Sequence, residues 1–139
     1  MNLDLLAAEL ERDEGIRYVP YQDQFGNWTV GVGHLMANPI SHAAVMQILN
    51  DDIAAAVLAV NGRLAWFPDL DEVRQRVLCN LCFQLGIEGL MKFTTFLGYM
   101  QAGNYEAAAD DLAQTKLARE TPERCQREII AIRTGAMPI

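Results

Sequence analysis

The fold is decided by residues 10–36, which read LERDEGIRYVPYQDQFGNWTVGVGHLM. Upstream of Gly15, leucines and alanines recur at helical spacing behind Asn2, a plausible cap, so the chain opens with a short amphipathic helix. From Arg17 to Leu35, the β-forming residues Tyr, Val, Trp and Thr surround the turn signal Gly26-Asn27. This pattern predicts a small antiparallel hairpin sheet directly after the first helix.

The remainder of the sequence has helical periodicity throughout. A long helix of about 20 residues is expected between a cap at Ser41 and a stop at Gly62. Four further segments are predicted as helices from their caps and stops: one capped by Asp69 or Asp71 and ended by Gly86, one capped by Thr94 or Thr95 and ended by Gly103, one capped by Asn104, and one capped by Thr121 before Pro122. The fold class is therefore α+β, mainly helical.

Composition limits the classes of function. The 139 residues correspond to about one domain, and a net charge of -7 argues against a general role in binding nucleic acid or an anionic membrane. The longest apolar run, Ile53 to Val60, is shorter than the ~20 residues that cross a bilayer. The acidic N-terminal residues do not form a secretion signal, so a cytoplasmic location with no membrane insertion is expected.

Three cysteines, Cys79, Cys82 and Cys125, form an odd and sparse set that does not indicate a disulfide framework. Cys79 and Cys82 spell C-x-x-C, but they lie within an apolar helical pattern, which favours buried small hydrophobes over a redox or zinc site. His34 and His42 have no further ligands at metal spacing, so no metal and no cofactor are expected.

Three polar residues of the stretch 10–36 are candidates for chemistry: Glu14 at the end of the first helix, Asp23 in the loop that enters the hairpin, and Thr29 on its return strand. Glycosidic cleavage requires two carboxyl groups in unlike environments, one protonated and one ionised. A threonine hydroxyl can orient a water molecule. Taken alone, the same residues also suit solvated or capping roles.

The stretch 10–36 closely resembles the catalytic signature of the phage T4-type lysozymes, the endolysins of glycoside hydrolase family 24. The signature consists of an acid-Glu-Gly helix end, a Tyr-x-Asp turn and a Thr-x-Gly-x-Gly-His strand, and all three parts are present. The resemblance continues through DDIAAAV at residues 51–57, NLCFQLG at 80–86, KFTTFL at 92–97 and TPERCQREIIAIRTG at 121–135. It therefore covers nearly the whole chain.

The resemblance implies a two-lobed lysozyme fold in one domain over residues 1–139. Its parts would be a small β lobe at about 14–40, a connecting helix at about 41–62, and a helical lobe at about 63–139 together with the N-terminal helix 2–13.

It also implies a muramidase that hydrolyses the β-1,4 bond between N-acetylmuramic acid and N-acetylglucosamine in bacterial peptidoglycan during a phage cycle. Glu14 would be the general acid, while Asp23 and Thr29 would activate the attacking water in an inverting reaction. The enzyme would be a monomer that stays in the host cytoplasm until a holin-type membrane lesion releases it to the wall.

Five residues would support the site by the same resemblance. His34 would pair with Asp52 on the long helix, a structural pair that joins the hairpin lobe to that helix. Arg124 and Arg127, three residues apart on one helical face, would lie beside Asp13 and Glu14 and fix these carboxylates by bidentate pairing. The alternatives are an ordinary structural histidine and solvated surface arginines.

Five residues would bind substrate. Phe83, Gln84 and Phe93 fall where the family lines its sugar groove, although core packing also explains the two phenylalanines. Gly33 would let a glycan approach the backbone, with strand bending as the alternative. Asp111 would be the fifth, and it places a carboxylate where the family's type member has the amide of an Asn.

Two departures from the type member stand out. Seventeen residues separate His34 from Asp52, a short span that predicts a reduced small lobe. The chain is acidic, but residues 116–133 carry five basic against three acidic side chains.

Two other functions fit the same pattern: a lytic transglycosylase, which closes an anhydro ring without water, and a non-catalytic wall-binding or structural module of a virion or secretion device.

Overall fold

The computed structural model describes residues 1–138. Within it, the chain forms two compact units, Met1–Met46 and Gln47–Ile139. The structure has seven α-helices and one three-stranded antiparallel sheet across the described residues, which confirms the mainly helical α+β class. The sheet lies in the N-terminal unit, and five of the helices lie entirely in the C-terminal unit.

The N-terminal unit begins with helix α1, Leu3–Glu14. The Asn2 side chain caps it by accepting hydrogen bonds from the backbone N–H groups of Asp4 and Leu5, each at 3.1 Å. Gly15 ends it as the sequence predicts, and its N–H donates to the Glu11 carbonyl. Glu14 is therefore the last helical residue, placed at the junction with the sheet.

The sheet consists of β1 (Arg17–Gln22), β2 (Trp28–Gly31) and β3 (His34–Leu35), in the order β1-β2-β3. The predicted hairpin is β1 and β2, and β3 adds a third strand of two residues. Thr29 faces Tyr21 on β1 and Leu35 on β3. Because Thr29 is on the central strand, it has neighbours on both sides, and it is buried.

Helix α2 runs from His42 to Arg63, one residue beyond the predicted stop at Gly62. The Ser41 hydroxyl caps it by accepting from the Ala44 N–H. By length and composition, α2 is apolar enough to cross a membrane, with a mean hydropathy of 1.5 over an 18-residue window. The unbroken-run criterion missed this property because isolated polar residues interrupt the run. The same helix contains Asp51 and Asp52.

The C-terminal unit continues with a short 3-10 helix and five α-helices. These are the 3-10 helix Phe67–Asp69, α3 (Glu72–Met91), α4 (Thr94–Gln101), α5 (Tyr105–Ala113), α6 (Lys116–Glu120) and α7 (Pro122–Thr134). Asp71 and Asn104 cap α3 and α5 as predicted. The prediction that Thr94 or Thr95 caps α4 is wrong, because Phe93 occupies that position and Thr94 is already helical.

Gly86 interrupts α3 rather than ending it. Its backbone angles, φ 74° and ψ 162°, are not helical, and the chain resumes a helix up to Met91. Since this left-handed φ strains any residue with a Cβ, glycine is the residue suited to the kink.

The core of the C-terminal unit consists of fully buried aliphatic and aromatic side chains from α2 to α7, among them Val60, Leu81, Phe96, Leu112 and Ile132. The thiols of Cys82 and Cys125 are free and belong to this core, whereas Cys79 is half-buried and packs against it. Burial raises the pKa of all three thiols, that of Cys125 to about 11. The cysteines therefore behave as small hydrophobes.

Candidate active site

The side chain of Glu14 lies against the turn between β2 and β3. A Cβ atom added at Gly33 would lie 2.9 Å from Glu14 Oε2 and 3.1 Å from Glu14 Cδ. Only a residue without a side chain leaves this space for the carboxyl group. The structure thus brings the predicted acid Glu14 together with Gly33, which the resemblance predicts to be a substrate-binding residue.

Asp23 closes the turn between β1 and β2. Its Oδ1 accepts hydrogen bonds from the backbone N–H groups of Phe25 and Asn27, both at 2.8 Å. Its Oδ2 accepts from Asn27 Nδ2 at 3.3 Å. The Asn27 N–H bond is the main cause that lowers the pKa of Asp23 below its usual value, against an opposing effect of burial. Asp23 is therefore held as a carboxylate.

Thr29 is 3% exposed, and its hydroxyl donates a hydrogen bond to the Asn27 carbonyl at 3.0 Å. This bond uses the only proton of the hydroxyl group, so the oxygen faces its surroundings as an acceptor. Such an oxygen can accept a hydrogen bond from a water molecule and thereby orient the lone pair of that water.

Asn27 was missed by the sequence reasoning, although it contacts both Asp23 and Thr29. Its carbonyl also accepts from the Asp23 N–H at 2.9 Å. The available signal was the spacing Asp-x-x-Gly-Asn, but Asn in a turn ordinarily indicates backbone conformation rather than contact with a functional side chain. Two local groups result in the N-terminal unit: Glu14 with Gly33, and Asp23 with Asn27 and Thr29.

Two of the predicted supporting residues also lie in the N-terminal unit. Asp13 accepts a hydrogen bond from its neighbour Arg12 at 2.9 Å, and both side chains are exposed, so the pair contributes little to stability. His34 is half-buried, and its Nε2 has no hydrogen-bond partner among residues 1–138. The pairing of His34 with Asp52 stays a prediction, as does that of Asp13 and Glu14 with the two arginines.

In the C-terminal unit, Arg124 is held by Asn80 of α3. Its Nε donates to Asn80 Oδ1 at 2.9 Å, and it lies 3.8 Å from Glu128 Oε1 on its own helix. Glu128 is 2% exposed, and both of its carboxyl oxygens are without a hydrogen bond among the described residues. Burial raises the pKa of Glu128 to about 7, partly opposed by Arg124 and Arg127. Arg127 itself is exposed on α7.

A cavity of about 550 Å³ lies in the C-terminal unit, and its lining includes Ile53, Val57, Asn80, Phe83 and Arg124. It therefore brings together Phe83 and Arg124 of the predicted set. A second cavity of about 320 Å³ has Phe83 and Asp52 in its lining. Phe83 is 46% exposed, which is more than a core role requires.

The other predicted substrate-binding residues of this unit occupy different places. Gln84 Nε2 donates to Thr121 Oγ1 at 3.1 Å, and its buried Oε1 has no partner within residues 1–138. Phe93 is half-buried against the core, which agrees with its packing alternative. Asp111 is half-buried in α5. The described residues contain no group of three or more His, Cys, Asp or Glu placed to hold a metal ion.

Comparison with known proteins identifies relatives of three kinds. The chain is 25% identical to Probable T4-type lysozyme 1 of Dictyostelium discoideum, over 92% of this chain and 93% of that protein. It is 29% identical to the Endolysin of Salmonella phage P22, over 84% of each. It is 27% identical to the Pre-baseplate central spike protein Gp5 of Enterobacteria phage T4, over 94% of this chain but 28% of that longer protein.

The model of the family described as Phage lysozyme matches residues 11–125. This range contains Glu14, Asp23 and Thr29 with their contacts in the N-terminal unit and most of the C-terminal unit. Since the match spans well over half of the chain, the protein belongs to the phage lysozyme family, whose members are lysozyme-type hydrolases of peptidoglycan.

Proposed function

We propose that the protein is a muramidase that cleaves the β-1,4 bond between N-acetylmuramic acid and N-acetylglucosamine with inversion at the sugar carbon. The observation that carries this proposal is that Asp23 and Thr29 both bind Asn27, whose N–H donates to Asp23 Oδ1 and whose carbonyl accepts from Thr29 Oγ1. Asp23 is held ionised by backbone N–H donors, and the Thr29 hydroxyl is fixed as an acceptor by the Asn27 carbonyl. A carboxylate and a hydroxyl acceptor that are held by the same residue suit the activation of water.

The proposed reaction follows from these roles. Water donates one hydrogen bond to Thr29 and one to Asp23, and its lone pair attacks the anomeric carbon of the muramic acid residue. Asp23 takes the proton from the water, while Glu14 gives its proton to the glycosidic oxygen, which leaves as the hydroxyl of N-acetylglucosamine. A direct attack by water inverts the configuration. Before the next cycle, Asp23 releases its proton to solvent and Glu14, which is exposed, takes one up.

The remaining site residues are proposed in the roles that the family resemblance implies. His34 and Asp52 would form a structural pair, and Arg124 with Arg127 would fix the side chains of Asp13 and Glu14 by bidentate pairing. Gly33, Phe83, Gln84, Phe93 and Asp111 would contact the glycan. The shared cavity supports Phe83 and Arg124 as members of one binding surface in the C-terminal unit.

The proposed biological role is host-cell lysis at the end of a phage cycle by a monomer that crosses the membrane through a holin-type lesion. The likeness to the P22 endolysin supports this role. The likeness to the T4 spike protein supports a second one, in which a lysozyme module acts at a phage tail during entry. Purified phage particles decide between them, because a tail enzyme is retained in the particle and a lysis enzyme is absent from it.

The enzymatic proposal is tested with Glu14→Gln and Asp23→Asn, with Glu9→Gln as the matched control on the exposed face of α1. We expect each site variant to release soluble muropeptides at least about 100-fold more slowly than the parent chain, and the control to keep full activity. Full activity of Glu14→Gln with a folded far-UV spectrum would overturn the proposal.

The products distinguish the proposed hydrolysis from the alternatives. Mass spectrometry of the muropeptides is expected to show reducing ends that have gained the elements of water, with the α configuration at the new anomeric carbon by NMR. Anhydro products would identify a lytic transglycosylase instead. Wall binding without any product at any pH or salt concentration would identify a non-catalytic module.

A further inference from the structure

We propose that Asn27 is a positioning residue that holds the Asp23 carboxylate in one orientation and places the Thr29 hydroxyl beside it. The inference deepens the proposed function and rests on the role given there to Asp23. Three groups of Asn27 take part: its N–H and its side-chain amide bind Asp23, and its carbonyl binds Thr29.

The two oxygens of Asp23 are held differently. Oδ1 accepts two backbone N–H groups, which leaves it little capacity for water. Oδ2 accepts only the longer bond from Asn27 Nδ2, at 3.3 Å, within the N-terminal unit. Oδ2 is therefore the oxygen with a free lone pair, and Asn27 fixes its direction by blocking rotation of the carboxylate. We infer that Oδ2 is the atom that takes the proton from water.

The Asn27 carbonyl connects the two residues that act on this water. It accepts from the Asp23 N–H at 2.9 Å and from Thr29 Oγ1 at 3.0 Å. The N–H of the same residue holds the Asp23 carboxylate, so a displacement of Asn27 moves the partners of both side chains. The carboxylate and the hydroxyl oxygen are thereby set relative to each other by a single residue.

Backbone conformation does not explain an asparagine here. Asn is enriched in turns largely because it tolerates a left-handed φ, but no non-glycine residue of the described chain has a positive φ. Gly26, with φ 80°, supplies the left-handed conformation of this turn. The side-chain amide is thus free to serve Asp23, and Ala at position 27 meets no backbone strain.

The electrostatic effect on Asp23 comes from these hydrogen bonds rather than from a neighbouring cation. The causes that lower its pKa are bonds from Asn27 and Phe25, with no charged side chain among them. The two arginines of the N-terminal unit contact other residues: Arg12 pairs with Asp13, and the Arg17 guanidinium lies 5.0 Å from the centre of the Tyr21 ring. The Asn27 side-chain amide is the smallest of these causes and the one that a substitution at position 27 removes, since the backbone N–H groups remain.

The test compares Asn27→Ala and Asn27→Asp with Gln24→Ala, a control in the same turn at an exposed position. Two quantities are measured on the full chain: the Asp23 carboxyl pKa by carbon-13 NMR, and the pH profile of muropeptide release. For Asn27→Asp, we expect both the Asp23 pKa and the acidic limb of the profile to rise by roughly one unit, because a like charge then faces Oδ2. For Asn27→Ala, we expect a smaller rise and a kcat lower by about 10-fold at unchanged KM.

Each result has a definite meaning. An unchanged Asp23 pKa and an unchanged rate in both variants, with intact folding by circular dichroism, would overturn the inference. An Asp23 pKa that moves while the rate profile stays fixed supports the positioning role and counts against the catalytic role of Asp23. Loss of activity in Asp23→Asn together with shifted profiles in both Asn27 variants supports both proposals.

Discussion

At the scale of single residues, Gly33 and Glu14 compete for one small volume. The Glu14 carboxyl group occupies the space that a Cβ at position 33 would need, at a separation of 2.9 Å. Gly31, the last residue of β2, has a similar φ of 68°, but a Cβ there meets nothing within 4 Å. Comparing substitutions at the two glycines therefore separates the effect of backbone strain from the effect of contact with Glu14.

Gly33→Ala is expected to lower muropeptide release by at least about 10-fold, because the new methyl group displaces the Glu14 carboxyl group. Both Gly33→Ala and Gly31→Ala are expected to destabilise the fold by about 1 kcal/mol, since each places a Cβ at positive φ. Activity and thermal melting of the two variants provide the measurement. Equal activity losses in both would show that strain, rather than the Glu14 contact, is the cause.

Glu128 is a second residue whose surroundings determine a measurable property. Its pKa is about 7 in the folded chain, against an ordinary value of 4.5. Burial thus favours the protonated form in the native state. The stability that this group contributes is complete below about pH 4.5 and is lost as the pH rises to about 7.

Glu128→Gln is expected to remove this part of the pH dependence, which is of the order of 3 kcal/mol between pH 4 and pH 8. Urea unfolding at several pH values measures how steeply the free energy of unfolding changes with pH in the parent chain and in the variant. Glu123→Gln, on the exposed side of the same helix, is the control and should leave the slope unchanged. Parallel stability curves for the parent chain and Glu128→Gln would show that Glu128 does not titrate in this range.

At the scale of helices, Arg74 connects three of them. Its Nε donates to the Ile132 carbonyl of α7 at 2.8 Å, its Nη1 pairs with Asp71 before α3, and its guanidinium lies 3.6 Å above the ring of Tyr105 on α5. The side chain is only 12% exposed, so these interactions are shielded from water. They fix how α5 and α7 pack against α3.

Arg74→Ala is expected to destabilise the protein by about 2 kcal/mol, because a buried carbonyl and an aromatic face lose their partner. Arg76, two residues after Arg74 on α3, forms only an exposed pair with Glu72, one turn away on the same helix. Arg76→Ala should therefore stay within about 0.5 kcal/mol of the parent chain. Similar unfolding midpoints for the two variants in urea would contradict this assignment.

Helix boundaries could be predicted where a polar side chain caps a clear periodic pattern. Asn2, Ser41, Asp71 and Asn104 all cap as predicted, because each directly precedes its apolar stripe. The cap at Thr94 was wrong because the helix begins one residue earlier, after Phe93. Helix α6 was not predicted, since five residues are too few to establish a period.

The candidate site could be predicted only for the residues that belong to one short sequence motif. Glu14, Asp23 and Thr29 were identified from the motif in the stretch 10–36, and their catalytic roles remain predictions. Asn27 was not identified, because its importance depends on the turn that brings its carbonyl to Thr29. The contact between Gly33 and Glu14 was missed for a similar reason: it joins a helix end to a strand turn, and no periodicity records such a contact.

At the scale of the whole molecule, the charge is unevenly distributed. Residues 1–46 carry six acidic and two basic side chains, whereas residues 116–133 carry more basic than acidic ones. Peptidoglycan bears carboxylates, so an overall charge of -7 gives no long-range attraction to the wall. Binding then depends on short-range contacts within the site.

Activity on isolated walls is therefore expected to change by less than about two-fold, or to rise, when NaCl is raised from 20 to 150 mM, a range over which the screening length falls to about 8 Å. Sucrose at equal osmolality is the control for effects unrelated to charge. A steep loss of activity in NaCl alone would show that attraction to the wall dominates after all.

The buried thiols allow the rate at which the C-terminal unit opens to be measured by chemical labelling. Cys125 is 1% exposed with a pKa of about 11, so at neutral pH it reacts with an alkylating reagent only after the helices around it separate. In reagent excess, the rate of its labelling becomes the rate at which this unit opens, and it can be followed by mass in a protein that carries no introduced probe. Half-buried Cys79 is expected to react with the reagent before Cys125 does, so its labelling gives the earliest time point of the experiment.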